Sequence, residues 1–181
     1  MTKWKIKEIE EKTGKKLKLN TLSFGIDIAL NVTGWVLLKT TKMDLILLDK
    51  GIINTKKCDI ITDKLDMIEE AIKNIVITNN CDKVGVVEMP WVGFNPRGAI
   101  VLGISAGVAY NEIRKRIKYT YFLGASSARK KVGLTIKKGK NNPKNIKAKQ
   151  QAGNYVEEIF KIKETADIED GFILAYAGLV K

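Results

Sequence analysis

The chain has 181 residues, 45% of them hydrophobic and 29% charged, with a formal net charge of +12. That is the size and balance of one soluble globular domain able to bury its core without staples; no apolar run reaches membrane-spanning length and no apolar stretch of a signal peptide opens the chain, so a place in the cytosol of its cell or host is expected. There is no His, which excludes Ser-His-Asp triads and His-ligated zinc, while Cys58 and Cys81 lack C-x-x-C spacing and read as reduced structural thiols.

Residues 1–20 alternate Lys and Glu around Trp4, Ile6, Ile9, Leu17 and Leu19, with Gly14 as a break. The pattern predicts a short helix and a basic connector, an extension ahead of a domain spanning 21–181. Leu22, Phe24 and Ile26 alternate with Ser23 and Gly25, and apolar residues resume at Trp35, so a hairpin is expected with Asp27 near the end of its first strand. Leu45 to Ile53 supply a third strand, broken around Asp49 to Gly51, which completes an antiparallel meander. Over Asp63 to Thr78, Leu65, Ile68, Ala71, Ile72 and Ile75 recur at helical spacing, and Asn79 and Asn80 stop the helix. Val84 to Met89 is a buried strand that delivers Glu88 just before the breaker Pro90.

Arg97 to Arg116 is the longest helical stretch, and its Gly98, Ala99, Gly103, Ser105, Ala106, Gly107 and Ala109 allow another helix to approach closely. A strand over Tyr119 to Leu123 precedes a short helix capped by Ser126 or Ser127 and running through Lys131. Gly133 to Pro143 reads as a loop, followed by a helix from about Asn145 to Phe160. A last helix covers Asp167 to Val180, with Phe172, Ile173, Ala175, Tyr176 and Leu179 as its apolar face.

The charges are segregated. Between Glu112 and Glu157 there is no acidic residue, whereas Lys and Arg recur from Arg114 to Lys149. One-signed clustering of this kind is the footprint of a polyanion, most often nucleic acid, against the plainer reading of a solvated Lys-rich surface. Asp27 and Glu88 each close an apolar strand, while Asp167 and Asp170 lie three apart, one turn along a helix face. Singly, each is equally a strand end or a helix cap. Together, four converging carboxylates without His need neutralising cations, and hard oxygen donors select Mg²⁺ or Mn²⁺. Two such ions, roughly 3.5–4 Å apart, serve an in-line phosphodiester displacement by stabilising the attacking and leaving oxygens.

The series Gly25-Ile26-Asp27, Val32-Thr33-Gly34-Trp35, Val87-Glu88, Arg97 to Val108 and Ala166-Asp167-Ile168-Glu169-Asp170-Gly171 resembles the RuvC family of Holliday junction resolvases across nearly all of Leu22 to Leu179. The resemblance implies an α/β, RNase H-like fold, a mixed central sheet of three antiparallel strands plus parallel ones flanked by helices. It implies a homodimer that nicks opposed strands of a four-way DNA junction with Mg²⁺, two ions in all, Mn²⁺ being able to substitute. Asp27, Glu88, Asp167 and Asp170 become the expected catalytic metal ligands, and Trp91 or Phe94 an aromatic that stacks at the junction centre. Arg97, Lys130, Lys131, Lys137, Lys138 and Lys140 are the expected phosphate contacts, and the small-residue helix the expected dimer contact or its support. The first motif alone is shared with actin-like ATPases, whose two-lobed body this chain is too short to form. The Lys-, Ile- and Asn-rich composition suggests an AT-rich genome such as a bacteriophage, hence a bacterial or phage-infected cytoplasm. Two other readings stay open: an RNase H-type nuclease on RNA/DNA hybrids, and a non-catalytic module binding branched DNA.

Overall fold

A computed structural model describes residues 2–90, 95–137 and 146–181. In chain order its elements are β1 (Thr2–Lys5), α1 (Ile6–Thr13), β2 (Leu22–Asp27), β3 (Val32–Thr40), β4 (Asp44–Asn54), α2 (Ile61–Thr78), β5 (Val84–Glu88), α3 (Pro96–Arg114), β6 (Tyr119–Leu123), α4 (Ala125–Lys131), α5 (Ala148–Phe160) and α6 (Ala166–Leu179). The strands form one six-stranded sheet in the order β1-β4-β3-β2-β5-β6. The meander β2-β3-β4 and the β1–β4 pair are antiparallel, and β5 and β6 add parallel to β2, so the sheet is mixed as expected.

Period-two alternation sorts the side chains of the central strands onto two faces. Phe24, Ile26, Leu37 and Val87 point to a core shared with Ile68 and Ile72 of α2 and Ala106, Ala109 and Ile113 of α3. Val36, Leu38, Val84 and Val86 point the other way, into a core built with α1, α4, α5 and α6. By the same alternation Asp27 and Glu88 fall on this second face. The helix α6 is apolar nearly all round, and its residues from Gly171 to Leu179 are buried between the sheet and the outer helices, the condition under which such a helix is stable.

Glycines set how closely α6 approaches. A Cβ on Gly25 would lie 2.1 Å from the backbone N of Ala175, and one on Gly34 would lie 2.1 Å from the carbonyl O of Asp167. Only a residue without a side chain lets the first turns of α6 rest on β2 and β3, and that contact carries Asp167 and Asp170 to the strand ends.

Three local expectations differ from the structure. The helix α1 is present, but Thr2–Lys5 ahead of it is a strand, paired with β4 from Thr2 opposite Leu47 to Lys5 opposite Asp44. Trp4 packs edge-on against Phe160 and Phe172 and donates its Nε1–H to the Phe160 carbonyl at 2.8 Å, while Leu17 bridges to Val180. Second, β4 is not broken around Asp49 to Gly51: it runs on to Asn54, and the irregularity is a bulge at Leu48, since Leu37 pairs with Asp49 and Leu38 with Leu47. Gly51 is kept small by the Trp35 ring across from it, which a Cβ would meet at 2.8 Å. Third, α4 begins one residue ahead of Ser126, with Gly124 as its N-cap and no side-chain cap.

Candidate active site

The parallel pairing of β2 and β5 aligns Ile26 with Val87, which sets the next residues, Asp27 and Glu88, side by side at the ends of neighbouring strands. From above them α6 brings Asp167 and Asp170. The four acids chosen from the sequence therefore meet at one end of the sheet. Asp27 and Asp170 are largely buried, with side chains 13% and 12% exposed, and Asp167 is more open than either at 35%.

Two basic groups that the sequence does not single out bind this set. Lys149, from α5, places its ammonium 2.9 Å from Asp167 Oδ1, 3.3 Å from Asp170 Oδ2 and 3.5 Å from Asp27 Oδ2. Arg129, from α4, donates from an η nitrogen to Asp170 Oδ1 at 3.0 Å. Both lie in the Lys/Arg-rich tract that reads as a polyanion surface, and nothing in their local pattern distinguishes an inward cation from a phosphate contact.

Positive charge falls short of negative charge here, and the titrating groups register it. Burial, reinforced by a hydrogen bond to Asp27 and by the charges of Asp27 and Asp170, pushes the Glu88 carboxyl up to about 9, against the pull of Arg129. The two carboxyls share a hydrogen bond, which favours a proton between them. Asp170 is also raised, by burial first and then by Asp27, with Arg129 and Lys149 opposing. Burial pulls Lys149 down, but its hydrogen bond to Asp167 and the charges of Asp27, Asp170 and Asp167 outweigh that and hold it above an ordinary lysine.

Among the described residues no three Cys, Asp or Glu side chains are grouped closely enough to hold a metal ion. Around Lys149 the three carboxylate oxygens stand 2.9–3.5 Å from the ammonium nitrogen, wider than the ~2.0–2.1 Å of Mg²⁺–oxygen bonds. The donor set itself fits a hard divalent cation. It is all oxygen, it contains neither His nor thiol, and burial together with the neighbouring carboxylates raises both Glu88 and Asp170, a cost that a bound cation relieves.

The other expected site residues are scattered. Arg97 is exposed in the first turn of α3, Lys130 is exposed on α4, and Lys137 is exposed beside α5, its backbone bonded to the Gln151 side chain. Lys131 is half-buried, with its ammonium 5.8 Å from the centre of the Tyr121 ring, and burial together with Lys18 lowers its affinity for a proton. Trp91, Phe94, Lys138 and Lys140 lie outside the described residues. Glu169 points away from the four acids, accepting from the backbone N–H of Glu164 at 3.3 Å.

Comparison with known proteins agrees with this architecture. The family model for the crossover junction endodeoxyribonuclease RuvC matches residues 23–177. A curated relative, the crossover junction endodeoxyribonuclease RuvC of Anaplasma phagocytophilum, is 38% identical over 82 residues, covering 45% of this chain and 50% of the relative. The chain thus matches about half the length of that protein. A Thermus thermophilus RuvC solved in complex with Holliday junction substrate superposes with a TM-score of 0.67 at 14% identity, over 87% of this chain and 91% of that one. The yeast mitochondrial Holliday junction resolvase gives 0.55 at 12% identity, over 93% and 82%. Similarity at this identity establishes the shared fold, an RNase H-like mixed sheet with helices on both faces. With the family model matching residues 23–177, most of the sequence, the chain belongs to the RuvC family.

Proposed function

We propose that the protein is a structure-specific endonuclease that resolves four-way DNA junctions by metal-dependent hydrolysis of phosphodiesters on opposed strands. The observation that carries this reading is the meeting of Asp27, Glu88, Asp167 and Asp170 from three separate elements, in a chain that belongs to the RuvC family. These four residues would hold Mg²⁺, two ions in all, with Mn²⁺ able to substitute; when bound, the ions supply water activation and stabilise the charge that builds on the phosphodiester. Arg129, 13% exposed and fixed on Asp170, orients that carboxylate. Glu88, raised by burial and by Asp27, would give up its proton to serve as an anionic ligand, an exchange that a bound divalent ion would favour.

The basic surface supplies the grip on DNA. Arg97, Lys130 and Lys137 are exposed and free to meet phosphates, with Lys131 beside them; from the sequence, Lys138 and Lys140 join them and Trp91 or Phe94 stacks on a base. Two coordinated nicks need two active sites, hence a homodimer. On α3, Ile100 is 63% exposed and Ile104 49%, and they share a face at helical spacing with Gly103 and Gly107, around which a Cβ would find open space. That stripe is the surface we assign to the partner subunit. The site of action is the cytoplasm of a bacterial or phage-infected cell.

A cleavage panel tests the substrate. Four-way junction, flap, linear duplex and RNA/DNA hybrid are incubated with the protein and Mg²⁺. Symmetric nicks in the junction, with the others cut slowly or not at all, are expected. Preferred cutting of the hybrid supports an RNase H-type nuclease instead, and tight junction binding with every substrate left intact supports a non-catalytic module.

A further inference from the structure

Lys149 belongs to none of the elements that carry the acids, yet its ammonium contacts three of them at once. From these contacts we propose that Lys149 is a built-in counter-ion that keeps the site closed without metal, and that an arriving divalent ion must displace its ammonium from Asp27, Asp167 and Asp170. The inference rests on the metal-dependent reading given above and adds a competitor to it.

Three features support displacement over permanent residence. The first is spacing: the acids stand around the ammonium at 2.9–3.5 Å, and a metal needs the same oxygens at ~2.0–2.1 Å, so both cations cannot be served together. The second is freedom to leave. Lys149 is 46% exposed and carries a compact charge on a flexible four-carbon stem, whereas Arg129 is 13% exposed and has its planar fork fixed on Asp170. Arg129 therefore stays while Lys149 departs. The third is a destination: an open hollow beside α5 is lined by Lys149 together with Glu169, whose carboxylate makes no ion pair among the described residues, whereas Glu157 and Glu164 there are already paired with Lys163 and Lys50.

Mn²⁺ binding without DNA, followed by electron paramagnetic resonance of the free ion, tests this on the full chain. Lys149→Met is expected to bind Mn²⁺ at least about tenfold more tightly than the native protein, because it leaves the acids without their competitor. Lys149→Arg, which keeps the charge, is expected to stay within about threefold of native. Equal affinity of the native and Met proteins overturns the counter-ion role and leaves the metal site standing. If neither binds Mn²⁺, or if Asp27→Asn binds it as well as the native protein, the metal reading itself fails and this inference falls with it. Should Lys149→Met not fold, native protein gives a second readout: amine acetylation mapped by mass spectrometry should reach Lys149 several-fold faster with saturating Mg²⁺ than without. Unchanged acetylation overturns the proposal.

Discussion

Replacing Glu88 by Gln asks whether the crowded carboxylates store a proton that the fold must hold. In the folded protein, burial and the neighbouring Asp27 push the Glu88 carboxyl up to about 9, whereas the ordinary value that holds in the unfolded chain is 4.5. A raised folded value means that the stabilising contribution is complete below about pH 4.5 and is lost as the pH rises towards 9. Between those limits the native state holds one proton more than the unfolded state, so stability falls by at most about 1.4 kcal/mol per pH unit. From pH 6 to pH 8 the expected loss is about 2–3 kcal/mol, or roughly 5–10 °C of melting temperature for a chain of this length. Glu88→Gln mimics the protonated acid and abolishes this slope. The chain has no His to titrate across the same window. Thermal melts of both proteins in EDTA at pH 5, 6, 7 and 8 should coincide at low pH and diverge upward, the Gln variant being the more stable at pH 8. Parallel curves over the whole range would refute the stored proton. Calorimetric Mg²⁺ titrations in buffers of different ionisation enthalpy should show close to one proton released per native protein and a smaller fraction for Glu88→Gln.

Gly34→Ala drives a methyl group into the Asp167 carbonyl and is expected to cost ~3 kcal/mol or more, seen as a melting point lower by roughly 6–12 °C; a drop under 1 °C means that the first turn of α6 does not rest on β3. Trp4→Ala removes the ring packed on Phe160 and Phe172 and should destabilise by about 2–3 kcal/mol in urea unfolding, against no change if Thr2–Lys5 does not share the domain's cooperative unit. Junction affinity should fall linearly on a log–log plot against salt, and Lys130→Gln with Lys137→Gln should reduce the slope by about 0.9 for each phosphate of the duplex arms that is no longer neutralised. An affinity indifferent to salt contradicts the phosphate assignment.

How much of this was readable in advance depends on whether the signal is local. Phe24 and Ile26 against Ser23 and Gly25 announce a strand because their alternation is set by the pleat, and the same logic exposes β5 and the acids ending both. The α6 segment is legible from its apolar continuity. In contrast, Thr2–Lys5 is a four-residue edge strand with Lys3 and Lys5 flanking Trp4, and only pairing with Leu45 to Leu47, about forty residues later in the sequence, makes it one. The bulge at Leu48 shifts the alternation of β4 by one residue, and from sequence that phase shift is indistinguishable from a break. At the site, the four acids are legible because each ends or begins an element. Arg129 and Lys149 are not, since a side chain turned inward to carboxylates and one turned outward to phosphate have the same local composition. Their roles emerge only once α4 and α5 are packed against α6.

The central claim is that these four carboxylates cut DNA. Asp27→Asn and Asp170→Asn proteins, assayed beside the native chain for binding and cleavage of a labelled four-way junction in Mg²⁺, test it most directly. Native protein that nicks opposed strands, with both variants binding the junction yet cutting at least about a thousandfold more slowly, is the predicted result, ~4 kcal/mol of lost transition-state stabilisation. Variants that cleave at the native rate, or a native protein that binds the junction and leaves it whole, contradict the account.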